Sequence, residues 1–254
     1  MNPGNEMLGW AKALWKLPRS LTGHGTVETL NYLKGINPDL RIKSRKTGES
    51  VFDWTIPDEW NIYDAYLLHE DGEKFADFKV NNLHVVGYSE PINERLNLND
   101  FKTRIHTHDM HNARIPYVTS YYSPTWGFCM SENQKKKMPD GKYLVYINAE
   151  KKSGKMHYAD LVIRGKSNKE VFFSTYVCHP SMANNELSGP VVASALAQYI
   201  RQNYPEPQYT YRFVFAPETI GALAYLDENI RHLKTNVVGG LGSSLEFFLT
   251  KTID

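Results

Sequence analysis

The sequence predicts an α/β fold: a mostly parallel sheet with flanking helices, interrupted by a β-rich segment. Three observations carry this. Apolar residues recur at helical spacing in the first stretch, up to Lys34. Prolines, glycines, aromatics and short alternating runs dominate from about Lys43 to Gly141. From Lys142 onward, short apolar runs alternate with helical stretches. Strand–helix–strand alternation implies right-handed crossovers and a parallel sheet. The texture divides the chain into a discontinuous α/β domain, residues 1–42 and 142–254, and an inserted β-rich domain, residues 43–141.

Each element has its own signal. Met7, Leu8, Ala11, Leu14 and Trp15 recur every three or four residues, and Pro18 ends that helix. A second helix is predicted from Thr26 to Leu33, closed by Gly35. Val51 to Ile56 alternates in part, Ala65 to His69 is a short apolar run, and Glu70-Asp71-Gly72 and Pro139-Asp140-Gly141 read as turns. Tyr143 to Ile147, Asp160 to Arg164, Glu170 to Val177 and Tyr209 to Phe215 are predicted strands. Leu187 to Tyr199 and Thr219 to Leu233 are predicted helices, the first with small residues suited to packing on a sheet. Asn236 to Leu241 is an apolar segment; the tail from Ser243 to Asp254 looks too short to complete a doubly wound sheet, and a shortened chain is expected.

Composition narrows the function classes. Among 254 residues, Lys+Arg 29 nearly balance Asp+Glu 28, for a net charge of +1, which leaves no electrostatic footprint for nucleic acid or an anionic membrane. Hydrophobic residues at 41% and charged residues at 22% are globular values, which excludes disorder and coiled coil as global descriptions. Cys129 and Cys178 are too few for a disulfide framework and fit a reducing compartment. Lys12, Lys16 and Arg19 interrupt the apolar residues near the start, so no signal peptide is expected, and no stretch has the roughly 20 apolar residues of a membrane span. A cytoplasmic protein is expected.

In a parallel sheet, ligands gather beyond the carboxyl ends of the strands. The segments after Val177 and Phe215 are therefore the places to look. The first is Cys178-His179-Pro180-Ser181-Met182-Ala183-Asn184-Asn185-Glu186-Leu187-Ser188-Gly189. His179 suits a metal, with Asn185 and Glu186 as oxygen donors on the same loop. Equally, Asn184 or Asn185 caps the next helix and His179 is a satisfied histidine. The second is Ala216-Pro217-Glu218-Thr219-Ile220-Gly221. Glu218 is a general base or ligand there, or simply an acidic residue favoured by the helix dipole. Together, a histidine and a carboxylate at one sheet edge are parts of a hydrolytic zinc site.

The residues also resemble a known family. Arg19-Ser20-Leu21-Thr22-Gly23-His24-Gly25, Ile115 to Tyr122, Trp126 to Cys129, Ser174 to Ser181 and Pro217 to Gly221 occur in the order seen in zinc-aminopeptidase-like proteins of bacterial polysaccharide-biosynthesis clusters. The chain is more distantly similar to the M28 zinc exopeptidases. The resemblance implies a zinc-exopeptidase-like sheet with an inserted domain, one or two zinc ions, and a peptide or amide-bearing substrate. It implies His179 as a zinc ligand, Asn185 where a zinc-bridging aspartate stands, Glu218 as the general base and Thr219 where a liganding glutamate stands. Glu186 is a substitute ligand by a small register shift. The remaining ligands of the family have no counterpart before Asp254.

Other clusters carry less. Arg104-Ile105-His106-Thr107-His108-Asp109-Met110-His111 is rich in histidine but has none of the usual zinc spacings. Tyr117, Tyr121, Tyr122, Trp126 and Phe128 read mainly as the core of the β domain. Gly239-Gly240-Leu241-Gly242 lacks the helix and acidic residue of a dinucleotide fingerprint. The function expected is a metal-dependent hydrolase of aminopeptidase type, with a link to surface-polysaccharide biosynthesis. The alternatives are a non-catalytic binding or scaffold protein that has lost its metal, and a truncated fragment. Oligomeric state stays open.

Overall fold

A computed structural model describes residues 3–242, so the segment from Ser243 to Asp254 lies outside the described residues. The chain forms two compact units, Met1–Ile56 with Gly154–Asp254, and Pro57–Ser153. The sequence texture places these seams at Lys43 and Gly141.

The first unit opens with helices α1 (Pro3–Leu14) and α2 (His24–Ile36), strand β1 (Arg41–Lys46) and a small hairpin of β2 (Ser50–Val51) and β3 (Trp54–Thr55). The second unit contains β4 (Glu59–His69), β5 (Lys74–Phe75), β6 (Ile92–Asn97), α3 (Leu98–Phe101), β7 (Ile105–His106), β8 (Phe128–Cys129), α4 (Glu132–Lys135) and β9 (Lys142–Lys152). The chain then returns to the first unit with β10 (Lys155–Ile163), β11 (Glu170–Tyr176), α5 (Ser188–Asn203), β12 (Thr210–Ala216), α6 (Ile220–Asn236) and β13 (Val237–Gly242).

In the second unit, β5-β4-β9-β6 form an antiparallel sheet. β9 includes the Tyr143–Ile147 run that the sequence assigns to the α/β sheet. It belongs instead with β4, because Tyr143, Val145 and Ile147 are buried on one face beside Ala65 and Leu67. The aromatic concentration divides. Phe128 is fully buried, Tyr121 packs edge-on to Tyr88 at 5.1 Å, and Tyr122 is half exposed.

In the first unit the sheet order is β1-β10-β12-β11-β13. The parallel sheet expected from the sequence is formed by β12, β11 and β13, while β10 and β1 extend it antiparallel. Alternation along each strand sorts the side chains onto two faces. Ala159, Leu161, Ile163, Phe213 and Phe215 share one hydrophobic core with Leu14 of α1, Leu30 and Leu33 of α2, and Ala193, Ala197 and Ile200 of α5. The other face, toward α6, adds a buried polar network to apolar contacts that include Val214, Tyr158, Ile220 and Ala224. Arg212 holds Glu170 with both arms, Nε to Oε2 at 2.6 Å and Nη2 to Oε1 at 2.9 Å. Its Nη1 donates to Tyr225 Oη at 3.0 Å, and that hydroxyl donates to Asp160 at 3.1 Å. His232 of α6 sits 2.8 Å from Glu170, and Arg45 pairs with Asp227.

Two details fix the approach to the strand ends. α1 stops at Leu14 and α2 runs on to Ile36, past Gly35. A Cβ on Gly25 would lie 2.3 Å from the carbonyl oxygen of Pro18, so only glycine lets the first turn of α2 lie against the Pro18-Arg19 segment. Among the described residues, no helix is long and apolar enough to cross a membrane.

Burial alone would raise the Glu170 carboxyl, but Arg212 and then His232 outweigh it and hold the group below its usual range. Such a group adds stability above its unfolded pKa and loses it as pH falls through the folded one. Arg212→Met leaves buried Glu170 with only His232 beside it, a loss of about 3–5 kcal/mol at neutral pH. In urea unfolding that loss is expected to shrink as pH falls below the usual carboxylate range and through the lowered folded pKa, where wild-type Glu170 also takes up its proton.

Candidate active site

The last rung of the parallel β11–β12 pair is Tyr176 opposite Ala216, and Val177 N–H still reaches Ala216 O at 3.2 Å. Both loops therefore leave the sheet side by side. His179 and Glu218 follow within three residues of that rung, and their side chains meet, Nε2 to Oε2 at 3.0 Å. His179 is buried, whereas the Glu218 side chain is 43% exposed. The pair thus has one member anchored and one facing solvent.

The loop after His179 does something the sequence hides. Ala183–Leu187 forms one turn of π-helix, which leads directly into α5. The wider turn sends adjacent side chains to different targets. Asn185 Oδ1 lies 3.0 Å from His179 Nδ1. Glu186 turns inward, is 1% exposed, and its Oε1 accepts the backbone N–H groups of both Cys178 and His179, the latter at 2.5 Å. The α5 N-cap is Leu187, and no side chain caps that terminus, so neither asparagine plays the capping part open to it from sequence. Ser181 (φ 44) and Thr219 (φ 55) take left-handed backbone at the two loops, a conformation that non-glycine residues adopt at a cost.

Both ring nitrogens of His179 face oxygens, Asn185 Oδ1 on one side and Glu218 Oε2 on the other. A doubly protonated ring, a reversed Asn185 amide, or a cation in place of the Nε2 proton satisfies that arrangement. A zinc ion about 2.0–2.1 Å from each of two donors accommodates donors at the Nε2–Oε2 separation. The other oxygen of Glu186, Oε2, is buried with no hydrogen-bond partner, 3.9 Å from His179 Nδ1. Among the described residues, Cys178, His179 and Glu186 group ligand atoms within 4.8 Å of one another. His179 Nε2 fits a zinc ion on the side of the half-exposed Glu218 carboxylate, whereas the orphaned Glu186 oxygen lies on the Nδ1 side of the ring and does not reach an ion held there. Thr219 is exposed and supplies no carboxylate.

Cys178 lies beneath this group, and its Sγ accepts the Glu218 N–H at 3.2 Å. Burial, then the Glu186 charge, push its thiol well up. The residue that sequence reasoning left without a role is Arg19. It is buried, donates from Nε to His179 O at 2.9 Å and from Nη1 to Leu14 O at 2.5 Å. Burial pulls its guanidinium down to about 10 against the opposing charge of Glu186. The signal was the motif Arg19 to Gly25, but a contact spanning 160 positions has no local signature. The described histidines of the second unit form no comparable centre: β7 ends at His106, and the rings of His108 and His111 lie 4.9 Å apart, tilted by 53°.

Known proteins place this arrangement. The family described as a domain of unknown function (DUF4910) matches residues 8–245. The chain belongs to that family. A relative from Clostridium acetobutylicum bears the name "Putative polysaccharide biosynthesis protein with aminopeptidase-like domain" and is 40% identical over 236 residues, 93% of this chain and 54% of its own length. The DUF4910 chain thus spans about half of that relative. A crystal structure of a "putative peptidase" from the same organism superposes with a TM-score of 0.90 at 40% identity, over 94% of this chain and 56% of the other. The fold is that of zinc aminopeptidases. BSAP, a zinc aminopeptidase from Bacillus subtilis, matches with a TM-score of 0.56 at 10% identity, over 93% of this chain and 68% of the other. A peptidase M28 precursor from Shewanella amazonensis gives 0.57 at 10% identity, covering 96% and 74%.

The two thiols have a common fate. Both are fully buried: burial pushes Cys129 up to about 12 and Cys178 well above its usual value. Because the thiolate is the reactive form, neither should react with a disulfide reagent at pH 8 in the folded chain. Release of both thiols only in denaturant, more than about a hundredfold faster, is the expected titration.

Proposed function

We propose that this chain carries the histidine ligand and the general base of a metal-dependent hydrolase of aminopeptidase type, acting on a peptide or amide bond. The observation that carries the reading is the 3.0 Å approach of His179 Nε2 and Glu218 Oε2 beyond the ends of two parallel strands. His179 is the metal ligand. Asn185 Oδ1 accepts from Nδ1–H, which fixes the tautomer and leaves the Nε2 lone pair for the cation. Glu186 contributes buried negative charge beneath the ring, on the Nδ1 side. Zinc, when bound, polarises the scissile carbonyl and makes water a nucleophile at neutral pH.

Glu218 does the proton work. Its carboxylate is within hydrogen-bond reach of the ligand ring and open to solvent. It takes a proton from the attacking water as the carbon–oxygen bond forms. It then delivers that proton to the leaving nitrogen as the carbon–nitrogen bond breaks. The name borne by the Clostridium relative extends the substrate proposal to an amide on an intermediate of surface-polysaccharide assembly.

A second reading has its own support. Asn185 and Thr219 stand where the family resemblance implies carboxylate ligands, and a catalytic zinc takes three protein ligands. On that reading the chain binds a partner and does no chemistry. Elemental analysis of protein purified without chelators separates the two. The hydrolase reading expects about one zinc per chain, lost in His179→Ala. Glu218→Gln should keep the metal and lower kcat on aminoacyl amides by about 10²–10⁴. Chains that take up no zinc, even when it is added, overturn the hydrolase reading and leave the binding protein.

A further inference from the structure

The peptide unit that carries the ligand imidazole is gripped at both ends by buried charge. At its amide end, Glu186 Oε1 accepts the N–H of His179 at 2.5 Å and also that of Cys178. At its carbonyl end, Arg19 Nε donates to His179 O at 2.9 Å. Arg19 is in turn tied to the end of α1 through Leu14 O. Arg19 is 2% exposed and Glu186 1% exposed, and the two attract each other through the low-dielectric interior. Burying either charge alone is costly, so both persist only as a matched pair.

We infer that Arg19 and Glu186 are positioning residues that clamp the His179 backbone and thereby aim its ring between Asn185 and Glu218. The inference rests on His179 being the ligand of the proposed hydrolase. His179 lies three residues beyond the last rung of the β11–β12 register, Tyr176 opposite Ala216. A charge-assisted bond at each end holds its peptide in place. The clamp also explains why Glu186 is buried while its neighbour Asn185 is exposed: one holds the backbone, the other the ring. Gly25 lets the Pro18-Arg19 segment approach closely enough to reach.

The test compares Arg19→Met with Leu161→Ala, a core change that removes none of the clamp's hydrogen bonds and is chosen to give a similar loss in Tm. The primary readout is ring-nitrogen NMR of isotopically labelled histidine without added metal, with His179 assigned by loss of its signals in His179→Gln. The clamp predicts that the His179 ring signals shift and broaden in Arg19→Met and stay put in Leu161→Ala. Unchanged His179 signals in Arg19→Met, or equal changes in both variants, overturn it. If Arg19→Met does not fold, Arg19→Lys, which keeps the charge but loses the two-armed hold, is compared in the same way and read by the same criteria. Zinc titration follows separately. A roughly tenfold weaker affinity in the Arg19 variant is expected, as for other residues that orient a ligand. Failure of the wild-type chain to bind zinc removes the hydrolase reading, while the NMR comparison still decides the clamp.

Discussion

The parallel pairing of β11 with β12 is the constraint on which the candidate site depends. Its register places Tyr176 opposite Ala216, and everything beyond that rung is delivered in pairs. Cys178 and Glu218 meet through a sulfur–amide contact, and His179 and Glu218 through ring and carboxylate. A slip of one residue would turn each side chain to the opposite face of the sheet. The register is held by the aromatic ladder of Phe173 and Phe213, stacked at 4.7 Å, and by the Arg212–Glu170 fork near the other end of the two strands. The chemistry-bearing edge is therefore positioned by contacts that take no part in it.

Around that edge the protein uses buried charge as a fastener. Glu186 has no need to be buried for solubility or packing, yet it lies beneath the strand ends with two backbone donors on one oxygen. Arg19 answers it from the far side of the His179 peptide. The π turn is the local device that makes this work. An ordinary helical start would have turned Asn185 and Glu186 through the usual angle, whereas the wider turn lets them attend to the ring and the backbone respectively.

Much of this was legible in the sequence. The strand–loop–helix rhythm from Glu170 onward locates both loops, and the ligand rule for parallel sheets then points to His179 and Glu218. Asn185 and Glu186 were singled out as neighbours of His179, but residue types alone do not tell which touches the ring and which the backbone. The seams between the units were less legible. β1 pairs with β10, more than a hundred residues later, and β9 pairs with β4 and β6 rather than joining the parallel sheet. Strand partners so far apart in sequence leave no periodic trace in either segment. Arg212 sits in the run Thr210-Tyr211-Arg212-Phe213-Val214-Phe215, where a lone charge within a buried strand is itself a sign of a buried counter-charge.

The two faces of the first unit are bonded by different physics, and temperature tells them apart. α1, α2 and α5 rest on hydrocarbon, whose burial weakens on cooling and carries a positive heat-capacity change on exposure. α6 rests on the sheet through Arg212, Asp160, Glu170, Tyr225 and His232, and exposing polar surface changes heat capacity in the opposite sense. The sheet is thus held between one layer of hydrocarbon alone and another in which polar bonds share the hold with apolar contacts. The helix following Glu218 belongs to the second layer, so the heat-capacity change on exposing its seat is smaller per unit area than for the three helices opposite.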